Sequence, residues 1–166
     1  MQTVIDSVCM NHLLRQPLGA RESEQTIELT CLDRHIRAGV LTIVIDAEGK
    51  VISEWIDTCG DEDLKTVVSF WGELNGFIHV EDIPAINRDI GKKLRQLGFD
   101  GTFDKFLLRL AAASTEKNIT SDDSDFWAPR QPRSRGDSSA VVCRCLREDL
   151  GVTVMLLGQL IGVLNR

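Results

Sequence analysis

Val40-Leu41-Thr42-Ile43-Val44-Ile45-Asp46 is a β-prone run with only Thr42 interrupting its apolar character before the closing aspartate. A strand with one wet face alternates polar and apolar residues. A run this uniform predicts a strand covered on both faces, the habit of a central strand in a parallel sheet. Parallel neighbours cannot be joined by tight turns, so helices are expected on either side. Upstream, residues 27–38 have helical character and stop at Gly39. Downstream, Ala47-Glu48-Gly49-Lys50 makes a tight turn, and Val51-Ile52-Ser53-Glu54-Trp55 follows as a hairpin partner or the start of a helix. Residues 61–74 then set Leu64, Val67, Val68 and Trp71 on one helical face. Asp61, Glu62 and Asp63 fall in the first turn, where the helix dipole favours acids.

The same alternation extends to both ends. Thr3-Val4-Ile5 reads as a buried first strand ending on Asp6, and Phe77-Ile78-His79-Val80 as another short strand. Residues 86–97 predict an amphipathic helix with Ile86, Ile90, Leu94 and Leu97 inward, stopped by Gly98. Residues 103–113 predict a second helix, striped by Phe103, Phe106, Leu107, Leu110 and Ala111. Residues 140–150 predict a third, ending at Gly151, and residues 152–157 a last buried strand. Residues 15–28 read as a connecting loop. Residues 128–139, with Pro129, Pro132, Arg130, Arg133 and Arg135, read as an exposed, mobile loop. Buried strands alternating with helices predict one domain over residues 1–166, a three-layer α/β/α sandwich around a mainly parallel sheet.

Composition narrows the function classes. The 166 residues suffice for one domain with a real core. No run reaches the roughly 18 apolar residues of a membrane span, and Met1-Gln2-Thr3-Val4-Ile5-Asp6 lacks the basic-then-apolar order of a secretory signal. A cytoplasmic protein without a membrane partner is the expectation. Five cysteines with no Cys-x-x-Cys spacing argue against zinc and disulfide frameworks, and three scattered histidines argue against a histidine metal site. The net charge of −6 does not suit a nonspecific nucleic-acid binder, although Arg130, Arg133 and Arg135 form a local cationic group able to meet phosphates. Neither a Gly-x-Gly-x-x-Gly after the first strand nor a Walker lysine is present, so nucleotide-cofactor binding has no support.

The chemistry concentrates in Asn118-Ile119-Thr120-Ser121-Asp122-Asp123-Ser124-Asp125-Phe126. Three aspartates in four residues repel one another unless water screens them or a cation sits between them. A solvated turn or helix cap is the plain reading of such a cluster. The alternative is a strand that delivers Asp123 and Asp125 into a crevice, with Asp122 alternating away. Asp6 strengthens that alternative, because ligands of open α/β sheets bind beyond the carboxyl ends of the strands. Asp6 and Asp104, which lies in the first turn of its helix, each also admit a simple capping or dipole role.

Taken together, these motifs resemble the PIN-domain nucleases. The resemblance rests on Val4-Ile5-Asp6, on Asp104-Lys105-Phe106-Leu107-Leu108-Arg109-Leu110-Ala111, on Thr120-Ser121-Asp122-Asp123-Ser124-Asp125-Phe126, and on a closing Gly151-Val152-Thr153-Val154. It covers both ends of the chain. The chain departs from the pattern after the first aspartate, where Ser7 is followed by Val8 and the nearest asparagine is Asn11. The family's mid-chain glutamate falls best on Glu54, with Glu73 and Asp46 behind it.

The resemblance implies a PIN-like fold and metal-dependent hydrolysis of phosphodiesters. It implies Asp6, Asp104 and Asp123 as primary catalytic and metal ligands, Asp125 and Glu54 as auxiliary ligands, and Mg²⁺ or Mn²⁺ as the cation. RNA is implied ahead of DNA, with Arg130, Arg133 and Arg135 on flanking phosphates. An endoribonuclease of toxin or defence type, an antitoxin or other inhibitor protein as partner, and a homodimer complete the expectation. Two other readings stand beside it: a PIN-like interaction module without catalysis, and a phosphatase using Asp6 as nucleophile. The phosphatase wants a second acid two residues after Asp6, where Val8 stands.

Overall fold

The computed structural model describes residues 1–15, 27–60, 62–129 and 134–166. Among these, five strands form one parallel sheet: β1 (Gln2–Ile5), β2 (Thr42–Asp46), β3 (Phe77–Val80), β4 (Asn118–Thr120) and β5 (Thr153–Met155). Their order is β3-β2-β1-β4-β5. Eight α-helices flank the sheet, giving the α/β/α sandwich that the alternation predicts: α1 (Ser7–Leu14), α2 (Ile27–Arg37), α3 (Lys50–Cys59), α4 (Glu62–Glu73), α5 (Arg88–Gln96), α6 (Thr102–Ala113), α7 (Val141–Leu150) and α8 (Leu157–Leu164). None is long and apolar enough to cross a membrane.

The central run does what its composition requires. Ile43, Val44 and Ile45 are buried, and β2 pairs with both β1 and β3, with Ile43 opposite Thr3 and Phe77. The chain steps from β1 to β2 to β3 in one direction and from β4 to β5 in the other. Right-handed crossovers therefore set α1–α4 on one face and α5–α7 on the opposite face. The order reverses between β1 and β4, where Val4 pairs with Ile119 and Ile5 with Thr120. Trp55, Trp71, Trp127, Phe99 and Phe126 fill the layers between sheet and helices, each contributing on the order of 2–3 kcal/mol by burial. Two of the indoles also tie elements together. Trp55 Nε1 donates to the Ile5 carbonyl at 3.0 Å, and Trp71 Nε1 to Asp33 Oδ1 at 2.6 Å.

Several expectations are corrected. Of the two readings of Val51 to Trp55 the helical one holds and the hairpin partner falls, because Asp46 accepts from the Lys50 and Val51 amides, both at 2.9 Å, after Gly49 turns the chain at φ 79°. The last strand ends at Met155, and α8, absent from the sequence reading, begins at Leu157. The helix expected over 86–97 is shorter, and Leu94 is its one fully buried residue. Residue 128 does not open an exposed loop: Ala128 is buried, as are Trp127 before it and Ala140 after the loop. Arg130, Arg133 and Pro132 lie outside the described residues, as do Asp61 and most of the 15–28 connection; Ile27 and Glu28 belong to α2. The five cysteines are free thiols, and all but Cys59 are buried.

Candidate active site

The sheet delivers Asp6 to its carboxyl edge. The Asp6 amide continues the β1–β4 ladder by donating to the Thr120 carbonyl at 3.0 Å, and the chain then turns into α1. Asp6 occupies the N-cap position of α1, yet its side chain makes no capping hydrogen bond. Its Oδ2 instead accepts from Ser121 Oγ at 2.7 Å, across the reversal point and 115 residues away in sequence. The Asp6 carboxylate is buried, with 3% exposure, and its pKa is raised. Burial is the main cause. The Ser121 hydroxyl opposes it, and the charge of Asp123 adds to it.

Ser121 is the residue that sequence reasoning passed over. Its amide extends the β4–β5 ladder to the Met155 carbonyl at 3.0 Å, and its hydroxyl also accepts from the Asp123 amide at 3.0 Å. One buried hydroxyl thus positions both Asp6 and the turn that carries Asp123. The available signal is its place, a small hydroxyl between a buried strand and an acid cluster.

Asp123 is not on a strand, contrary to expectation. β4 ends at Thr120, and Asp123 caps a 3₁₀ turn (Ser124–Phe126), accepting from the Asp125 amide through Oδ1 at 3.0 Å. The turn reading of the cluster is therefore correct for that oxygen, and the cap fixes where the carboxylate stands. Asp122 does point away from its neighbour's site, through the turn and not through strand alternation. Its Oδ1 accepts from the Leu157 amide at 3.1 Å, anchoring the start of α8. Asp125 is half-buried, and its carboxyl is raised by burial and then by Asp123.

Asp104 comes from the opposite layer, in the first turn of α6, and no side chain caps that helix. Its carboxyl lies against Gly101, where any β-carbon would overlap it. The backbone at Gly101 has φ −51° and ψ 133°, open to any residue, so the glycine is needed for the space. The pKa of Asp104 is raised to about 7. Burial contributes most, followed by the negative charges of Asp6, Asp123, Asp125 and Glu54. The four other acids that the resemblance implies therefore lie near enough for their charges to act on Asp104. Glu54 sits on α3 and not after a strand. The neighbouring Trp55 ties α3 to the end of β1 through Ile5, and Glu54 itself lines a cleft with residues of α5 and α6. The two weaker mid-chain acids do other work or none here: Asp46 caps α3, and Glu73 is exposed at the end of α4.

Proximity in field is not coordination. Among the described residues, no three His, Cys, Asp or Glu side chains stand as a metal-holding group. The donor set nonetheless has the chemistry of a hard divalent cation, with carboxylate oxygens and neither thiolate nor imidazole in the field around Asp104. Two clefts open among the described residues, and one of them includes an acid of this set. One, of about 400 Å³, is lined by Asn11, His12, Arg15, Asp122 and Arg135. Arg135 is exposed and donates to the Asp122 carbonyl at 3.0 Å. The other, of about 740 Å³, includes Glu54 in its wall. A comparison of the chain with protein-family models, curated proteins and solved structures returned no match.

Proposed function

We propose that this protein is a Mg²⁺- or Mn²⁺-dependent nuclease of the PIN-like kind, hydrolysing phosphodiester bonds in nucleic acid, with RNA as the first substrate to test. The observation that supports it best is the convergence of Asp6, Asp104 and Asp123 at the carboxyl edge, beside the point where the strand order reverses. Among the described residues, the acids brought in after β1, on α6 and in the turn after β4 share no cationic partner. Their repulsion is a standing cost to the fold, and a cation offsets it.

The chain's own residues set the chemistry. Asp6, held by Ser121, offers a fixed carboxylate on the buried side. Asp123, oriented by its cap, offers one on the turn side. Asp104 carries a carboxyl that changes charge near neutral pH, which lets it take up or release a proton as the site loads. Glu54 and Asp125 add their charges around Asp104. A bound divalent ion would supply Lewis-acid charge and a water of lowered pKa. Arg135, which is bonded to the carbonyl of Asp122 next to Asp123 in the chain, would meet a flanking phosphate.

Cleavage of a single-stranded RNA with Mn²⁺ tests the reading. Wild-type protein should cleave it, and Asp6→Asn and Asp123→Asn should each lower the rate at least about a hundredfold, the scale on which a catalytic electrostatic contact acts. Undiminished cleavage by either variant would count against the assignment. Wild-type protein that neither cleaves nor binds Mn²⁺ would leave the fold as an interaction module.

A further inference from the structure

The larger cleft lies beside Asp104 along α6: Phe103 and Lys105, its two chain neighbours, line it, as does Glu54, whose charge acts on Asp104. The floor is apolar and aromatic. Phe103 and Phe106, on either side of Asp104 along α6, pair at 5.8 Å between ring centroids, and Ile86 lies beside them. Both rings are only partly buried. Around this floor stand four cations, Lys50, Arg95, Lys105 and Arg109, against two carboxylates, Glu54 and Asp57.

Most of those cations are engaged. Arg109 donates to the Ile83 and Pro84 carbonyls at 2.6 and 2.8 Å, and Lys105 pairs with Asp100 at 3.2 Å. Lys50 pairs with Glu48 and stands 5.5 Å from the centre of the Phe106 ring. Arg95 is exposed, and its guanidinium has no ion pair or hydrogen bond among the described residues.

An aromatic floor beside an uncommitted cation suits a ligand that carries both a π-face and a negative charge. A nucleotide of an unpaired strand has that chemistry, since its base offers a π-face and its phosphate a charge. A duplex keeps its base faces stacked inside and cannot offer them. The volume of about 740 Å³ falls in the range of small-ligand clefts and exceeds what one base needs.

We infer that the cleft between α3, α5 and α6 is a subsite for a single-stranded nucleic-acid segment next to the scissile phosphate, with a base against Phe103 and a backbone phosphate on Arg95. That the segment is substrate rests on the nuclease reading; the cleft's affinity for an unpaired nucleotide does not. No such platform is visible in the sequence, because Lys50, Arg95 and the two phenylalanines come from three separate helices.

The test is fluorescence anisotropy with a labelled single-stranded RNA octamer in EDTA, so that cleavage does not intervene. Arg95→Glu and the volume-conserving Phe103→Leu should each weaken binding by about tenfold, and an abasic octamer of the same length should bind the wild type about tenfold more weakly than the normal one. Affinity indifferent to Arg95→Glu, or equal for the abasic octamer, overturns the proposal and leaves the cleft to an apolar protein segment. Wild-type turnover of bis(p-nitrophenyl) phosphate with Mn²⁺ examines catalysis separately, since that diester has no flanking strand. Arg95-dependent octamer binding without such turnover upholds the cleft and overturns the catalytic reading. Turnover with Arg95-independent binding does the reverse.

Discussion

Burial and four neighbouring acids hold the Asp104 carboxyl well above its ordinary range. Its pKa of about 7 in the folded chain lies above the ordinary aspartate value of 3.8, so folding favours its protonated form. Stability from this group is complete below about pH 4 and is lost as pH rises towards 7, where the carboxyl ionises against burial and its acidic neighbours. In EDTA, Asp104→Asn should therefore raise the unfolding free energy at pH 8 by about 1–2 kcal/mol, after allowing for solvent screening of a half-buried group. It should change little at pH 4. Urea denaturation at the two pH values measures this, and a gain of equal size at both would contradict the shared-field account. Asp6, Asp104 and Asp123 were legible as candidate site residues because each falls in a motif that resembles the PIN-domain pattern. Ser121 was not, because a serine beside three aspartates looks like part of a solvated turn until Asp6 is known to face it.

Among the elements, helix starts were the hardest to read. Val51 and Ile52 are β-branched and follow a strong strand, which favours a returning strand on local preference alone. The carboxylate of Asp46 reverses that preference by satisfying two amides at the start of α3. Asp46→Ala should cost about 1–2 kcal/mol, as for loss of a helix cap, and should leave the Mn²⁺ response of the melting temperature in place. A larger cost together with loss of that response would return Asp46 to the acidic site. At the other end, Val152 to Leu157 continues apolar into α8, and Gly158 and Gly162 weaken the helical signal. The 3.6-residue spacing of Leu157, Leu160, Ile161 and Leu164 was the cue available. β4 ends three residues short of Asp123 because the Asp123 carboxylate closes a 3₁₀ turn on Asp125. Local side-chain competition of this kind cannot be read from hydrophobic periodicity.

For the whole molecule, alternation of buried strands and helices was enough for the architecture, while strand order was not. Nothing local in β1 or β4 specifies that they are neighbours. Their adjacency appears only when both crossover directions are laid on one sheet, in the order β3-β2-β1-β4-β5. That adjacency makes the site, since it sets Asp6 against Ser121 and the Asp123 turn, while α6 brings Asp104 over the same edge. The shared field among these acids becomes a cation site only if the cation draws their oxygens together. Titration of the EDTA-treated protein with Mn²⁺, followed by the electron paramagnetic resonance of the free ion, tests this most directly. The account predicts saturable binding by the wild type that is lost in both Asp6→Asn and Asp123→Asn. Binding of equal strength in those variants, or none in the wild type, would contradict it.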